Sequence, residues 1–158
     1  MKAALDVAYE EGFGYAAAVA FQDWSDAEVI QEELVVVSGV QPYQPGRFFQ
    51  RELPCLLAAL RTLPPLEIVL IDGYVWLDSV GTPGLGARLF QALEGEVAVI
   101  GVAKTRFRGA EHAMQITRGQ SSRPLFITAA GLAKEIAATY IKAMHGPNRI
   151  PTLLRRAH

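Results

Sequence analysis

The chain has 158 residues, a formal net charge of −1, 51% hydrophobic and 20% charged residues, the profile of one domain able to bury a core; a disordered or multi-domain chain is excluded. Charges interrupt every apolar stretch before the roughly 18–20 residues that a membrane span needs, and Asp6, Glu10 and Glu11 stand where a signal peptide needs an apolar segment, so a cytoplasmic protein with no membrane partner is expected. Cys55 is the one cysteine, which removes an intramolecular disulfide and a cysteine-rich zinc site.

The near-zero net charge conceals an asymmetry. Residues 1–50 hold two basic groups against eight acidic ones and residues 51–100 three against six, whereas residues 101–158 hold ten basic groups against Glu111 and Glu135. A basic final third is the electrostatic footprint of a polyanion binder, although the same excess also fits scattered solvated charge.

In chain order, residues 3–8, 15–23 and 28–38 read as short apolar or β-branched strands separated by Glu-Gly-Phe-Gly and Trp-Ser-Asp turn signals, which suits antiparallel hairpins. After the turn-rich Pro42-Tyr43-Gln44-Pro45-Gly46, residues 48–62 place Phe49, Leu53, Leu56, Leu57 and Leu60 at helical spacing, and Pro64-Pro65 stops the helix. Residues 67–72 form a continuous apolar run ending in Asp72, as for a central strand covered on both faces. A glycine-rich loop, Gly81-Thr82-Pro83-Gly84-Leu85-Gly86, lacks the Lys of a phosphate loop and reads as a closure onto a helix over residues 85–93. Residues 97–102 supply a second buried strand, parallel to the first through that helix. Ile116 and residues 125–128 add short strands, residues 129–145 predict an Ala-rich helix ended by Gly146-Pro147, and residues 150–157 a last helix begun near Pro151. Three antiparallel strands followed by helix-linked parallel strands, with helices on both faces, is the order of an α/β fold of the ribonuclease H-like class.

In that order the carboxylates fall where chemistry is possible. Asp6 lies inside the first strand between Leu5 and Val7, Asp72 ends the central strand, and Glu52 follows Arg51 near the start of the first long helix. The first and fourth strands are neighbours in this topology, so Asp6 and Asp72 are brought side by side with Glu52 in reach. Three clustered carboxylates repel, and a hard divalent cation, Mg²⁺ or Mn²⁺, is the ordinary remedy, used with phosphate oxygens in phosphodiester chemistry. Asp72 before Gly73 also fits a strand-end turn, and Glu52 a helix-start charge favoured by the macrodipole.

The residues then resemble a family. Leu5-Asp6-Val7-Ala8-Tyr9, Pro42-Tyr43-Gln44-Pro45-Gly46 followed by Phe49-Gln50-Arg51-Glu52, Ile71-Asp72-Gly73, Ile100-Gly101-Val102-Ala103-Lys104-Thr105, and Arg149-Ile150-Pro151 leading to Arg156-Ala157-His158 occur in the order of the endonuclease V family, the deoxyinosine 3′-endonucleases of DNA repair. The resemblance implies that Asp6, Glu52 and Asp72 bind a catalytic Mg²⁺, for which Mn²⁺ substitutes. It further implies that His158 assists at the metal and Lys104 steadies the scissile phosphate. The resemblance also implies that the turn of Pro42, Tyr43, Pro45 and Gly46 acts as a wedge, with Tyr43 inserted beside the displaced base, and Gly73 and Arg106 are expected to contact nucleic acid. The implied reaction hydrolyses the second phosphodiester bond 3′ of hypoxanthine in DNA or RNA, leaving 3′-hydroxyl and 5′-phosphate ends.

Two departures bear on substrate. Where the family usually continues Gly-His-Gly and then His-Pro-Arg, this chain has Gly73-Tyr74-Val75-Trp76-Leu77-Asp78. Val75 in place of a glycine is expected to narrow the base pocket, while Tyr74 and Trp76 fit either base stacking or core, with core favoured for Trp76. A binding relative with weakened catalysis, or a nuclease of different base or structure preference, are the alternative readings. Lys104, Arg106 and Arg108 form a basic loop read as a phosphate contact; His112 and His145 read as surface or locally bonded residues; Arg118, Arg123, Lys142 and Arg155 read as backbone contacts to nucleic acid.

Overall fold

The computed structural model describes residues 1–39 and 48–158, and within that set the side chains of all but residues 48–50. Two alanine-rich strands, β1 (Lys2–Glu10) and β2 (Phe13–Phe21), pair antiparallel, and β3 (Gln31–Val37) pairs antiparallel with β2 beyond them. Helix α1 (Phe48–Leu60) follows the undescribed segment and carries the exposed Pro54 in its interior. The apolar run of β4 (Ile68–Asp72) inserts beside β1 in parallel, and α2 (Leu85–Ala92) leads to β5 (Ala98–Ala103), parallel to β4. β6 (Met114–Ile116) and β7 (Leu125–Ala130) complete a sheet of seven strands in the order β3-β2-β1-β4-β5-β7-β6, before α3 (Lys134–Ala143) and α4 (Thr152–Ala157).

Because successive strand residues point to opposite faces, the central strands feed two cores. Ala4, Leu70, Ile100 and Ile127 pack with Ile141 of α3 and Leu153 of α4 on one face. Leu5, Ile71 and Val99 pack with Leu56 and Ala59 of α1 and with Leu89 of α2 on the other. The expected strand order and helix layers are therefore present. No helix among the described residues is long and apolar enough to cross a membrane.

One element differs. The helix expected over residues 129–145 begins only at Lys134, because Ala129 and Ala130 remain in β7, paired with Ile100 and Val99 of β5. Alanine's helix propensity loses there to a buried antiparallel ladder.

Candidate active site

The register of β1 on β4 pairs Leu5 with Ile71, so Asp6 and Asp72, one residue further along, end up adjacent at the carboxyl edge of the sheet. By alternation both carboxylates share the face of Ala4 and Leu70, the side that α4 covers. Two neighbouring cavities meet at this edge. One is lined by Asp6, Asp72, Lys104, Arg155 and His158; the other by Asp6, Asp72, Glu52, Gly73 and Leu85. Glu52 thus reaches the two aspartates from α1, on the opposite face, over the end of the sheet.

The electrostatics follow from this placement. Burial pushes Glu52 up to about 7, with Asp6 and then Asp72 adding to the rise and Arg51 opposing it. The Asp72 side chain is 48% exposed and lies 3.7 Å from Lys104 Nζ. Even so, the crowding around its carboxylate outweighs that cation and raises it above the ordinary range, with Asp6 contributing. His158 Nδ1 pairs with Asp6 Oδ2 at 2.7 Å. Among the described residues no three acidic, His or Cys side chains form a tight metal-holding group. The donor chemistry nonetheless fits a hard cation: three carboxylates face joined cavities, and Glu52 is driven toward protonation by burial and, beyond that, by the two aspartates.

The turn after Asp72 is held by features that the sequence reading missed. Gly73 N–H donates to the Val102 carbonyl (3.1 Å) and Val75 N–H to the buried Thr128 hydroxyl (2.8 Å). The turn lies so close on β5 that a Cβ at Gly101 would sit 2.5 Å from the Gly73 carbonyl oxygen. A glycine between Ile100 and Val102 in an otherwise apolar strand was the available signal. Val75, which stands where the family usually has a glycine, is fully buried. Its Cγ2 fills the space a Cβ at Gly86 would need, at 2.6 Å, so α2 comes close over it. Trp76 behaves as expected of a core residue, packing in the core beneath α1 and α2 with its indole N–H on the Ala129 carbonyl. Tyr74 turns toward the 104–108 loop, where Ala103, Ala113 and Phe126 pack against it.

The basic residues divide. Arg106, Arg108, Arg123, Lys142 and Arg155 are exposed. Arg118, expected at the surface, is instead buried, its guanidinium donating to the carbonyls of Met144 (2.5 Å), Asn148 (2.7 Å) and Gly146 (3.2 Å). Arg149 donates to the carbonyls of Lys104 and Pro124. These two side chains fix the segment that carries α4, and with it His158, against the sheet. His145 is locally bonded to Thr152, as read, whereas the ring nitrogens of His112 are buried. Pro42, Tyr43, Pro45 and Gly46 lie outside the described residues.

A mixed sheet with an acid inside β1 beside an acid at the end of its parallel neighbour β4, and helices on both faces, is the ribonuclease H-like arrangement. The endonuclease V family model matches residues 1–150, and the chain belongs to that family. It is 34% identical to endonuclease V of Azotobacter vinelandii, over 74% of this chain and 52% of that protein. The chain spans about half the length of the curated relatives it matches first. The crystal structure of the Streptomyces avermitilis endonuclease V superposes with a TM-score of 0.76 at 28% identity, covering 98% of this chain and 76% of that one. The Ciona intestinalis endonuclease V, solved with a 24mer DNA containing an inosine followed by a ribo-adenosine, gives 0.79 at 17% identity, covering 99% and 81%.

Proposed function

We propose that this chain is a divalent-metal-dependent endonuclease that hydrolyses a phosphodiester bond 3′ to a deaminated purine, inosine, in DNA or RNA. The observation that carries this reading is the adjacency of Asp6, inside β1, and Asp72, at the end of the parallel β4, with Glu52 meeting them in one cavity, in a chain of the endonuclease V family. The inosine-containing DNA held by the Ciona intestinalis relative supports the choice of substrate.

Asp6, Glu52 and Asp72 would hold Mg²⁺ or Mn²⁺, which when bound supplies Lewis-acid stabilisation of phosphate oxygens and a more acidic water. The remaining work belongs to this chain's own side chains. Lys104, beside Asp72 and partly exposed, presents a cation to the scissile phosphate. His158, held at Nδ1 by Asp6, is oriented to accept or return a proton at its free ring nitrogen. Gly73 and Arg106 line the approach of the strand, and Tyr43, with Pro42, Pro45 and Gly46, serves as the wedge.

A second reading, altered base preference or a binding role with weakened catalysis, is favoured by one observation: Tyr74 and Val75 are committed to packing. Single-stranded DNA and RNA carrying one inosine, with Mg²⁺ or Mn²⁺, beside unmodified strands and the Asp72→Asn variant, separate the two. Cleavage one nucleotide beyond the inosine, absent in the variant, supports the endonuclease. Salt-sensitive binding with no cleavage under any metal overturns it in favour of the second reading.

A further inference from the structure

Directly after Lys104 runs the sequence Thr105-Arg106-Phe107-Arg108, an aromatic residue bracketed by two arginines. An apolar ring in such a loop would ordinarily tuck inward, yet Phe107 remains 44% exposed. The loop is not free to turn it in, because Tyr74 grips it at two points. The Tyr74 hydroxyl donates to the Thr105 carbonyl (2.8 Å) and accepts the Phe107 amide N–H (3.0 Å). Its ring also meets the Phe107 ring at 5.9 Å between centroids and 52° between planes. Arg106 and Arg108 are exposed, and neither forms an ion pair with a described residue.

We propose that Phe107, presented by Tyr74 and flanked by Arg106 and Arg108, is a stacking site for an unpaired base of the nucleic-acid strand whose phosphate lies at Lys104. The inference rests on the nuclease reading for the direction of the strand and deepens it by naming the substrate form: single-stranded or locally opened nucleic acid. Every base offers a π-face to a phenyl ring whatever its identity, and arginines on either side meet the phosphates that bracket it, the combination by which proteins hold single strands. Val80, at 87% exposure a more exposed apolar side chain, has neither an aromatic face nor flanking cations and carries no such reading. Tyr74 acts as a positioning residue here: its hydroxyl bonds go to the loop backbone, which leaves the Phe107 ring as the group presented.

The test uses the whole protein with Ca²⁺ in place of Mg²⁺ and a single-stranded oligodeoxynucleotide without inosine. Phe107→Trp should show indole quenching on titration, beyond that of the wild-type protein, and the extra quenching should vanish with a strand of abasic sites. Phe107→Ala and Phe107→Leu should each weaken binding on the order of ten-fold, Trp restoring it, since one base–aromatic stack is worth about that factor or more. Tyr74→Phe keeps the ring and loses both loop hydrogen bonds, so introduced into the Phe107→Trp protein it should reduce the quenching with little change in melting temperature. Wild-type affinity in Phe107→Ala with no quenching of the introduced indole overturns the proposal. Quenching without cleavage of inosine strands retains this site and removes the proposed reaction. Cleavage with undiminished binding in Phe107→Ala does the reverse.

Discussion

His158 and Asp6, 152 positions apart in the chain, meet at 2.7 Å, so α4 closes over the strand edge that carries the acids. The contact depends on Leu153 and Ala157, which seat α4 against the core and leave His158 exposed beyond them. A proton-handling histidine is worth roughly 10²–10⁴-fold in rate. His158→Ala is therefore expected to lower kcat by about a hundred-fold with little change in strand affinity, read by single-turnover cleavage. An unchanged rate would remove His158 from the reaction.

Glu52 gives a pH dependence whose sign is opposite to that of a salt-bridged acid. Its folded pKa, about 7, lies above the ordinary 4.5 of a glutamate, so between those values the folded chain keeps a proton that the unfolded chain has released. That contribution to stability is complete below the unfolded value and is lost as pH rises through about 7. In EDTA, Glu52→Gln should flatten this decline and stabilise the protein at pH 8 by roughly 2 kcal/mol, discounting for partial exposure. Urea melts of both proteins at pH 5 and pH 8 measure it.

Gly101→Ala would place a methyl group 2.5 Å from the Gly73 carbonyl oxygen and 2.8 Å from Thr128 Oγ1. Backbone on one side and a buried hydroxyl on the other leave little to give, and overpacking of this kind costs about 1–3 kcal/mol. The turn after Asp72 should shift with it. Reduced stability by calorimetry together with a loss of cleavage is expected, whereas Ala at the exposed Gly109 position, where the nearest atom is 3.8 Å away, would show strain of the local backbone without a loss of cleavage.

Arg118 feeds a cluster of backbone carbonyls that ends α3 and leads to α4. Arg118→Ala leaves those acceptors without the buried guanidinium, a loss of roughly 2–4 kcal/mol in urea denaturation. Arg118→Lys should recover little, because one ammonium cannot fan out to carbonyls on separate residues. Hydrogen exchange should show α4 loosening before the sheet does.

Much of this was written locally. The strand runs of 67–72 and 97–102, the helix from Phe48, the order of elements and the three acids with Lys104 and His158 all rest on short-range signals, apolar continuity, helical spacing and motif order. The sequence by itself determined which residues could do chemistry, because residue type and period survive without the fold. Only the tertiary structure decided where Ala129 and Ala130 belong, that Arg118 serves carbonyls in the interior, that Val75 fills the space over Gly86, and that Tyr74 turns Phe107 outward. Each of those outcomes depends on a partner far along the chain. Burial, ladder pairing and the need to satisfy every enclosed polar group are properties of the packed whole, and they overrule a local preference worth a few tenths to about one kcal/mol.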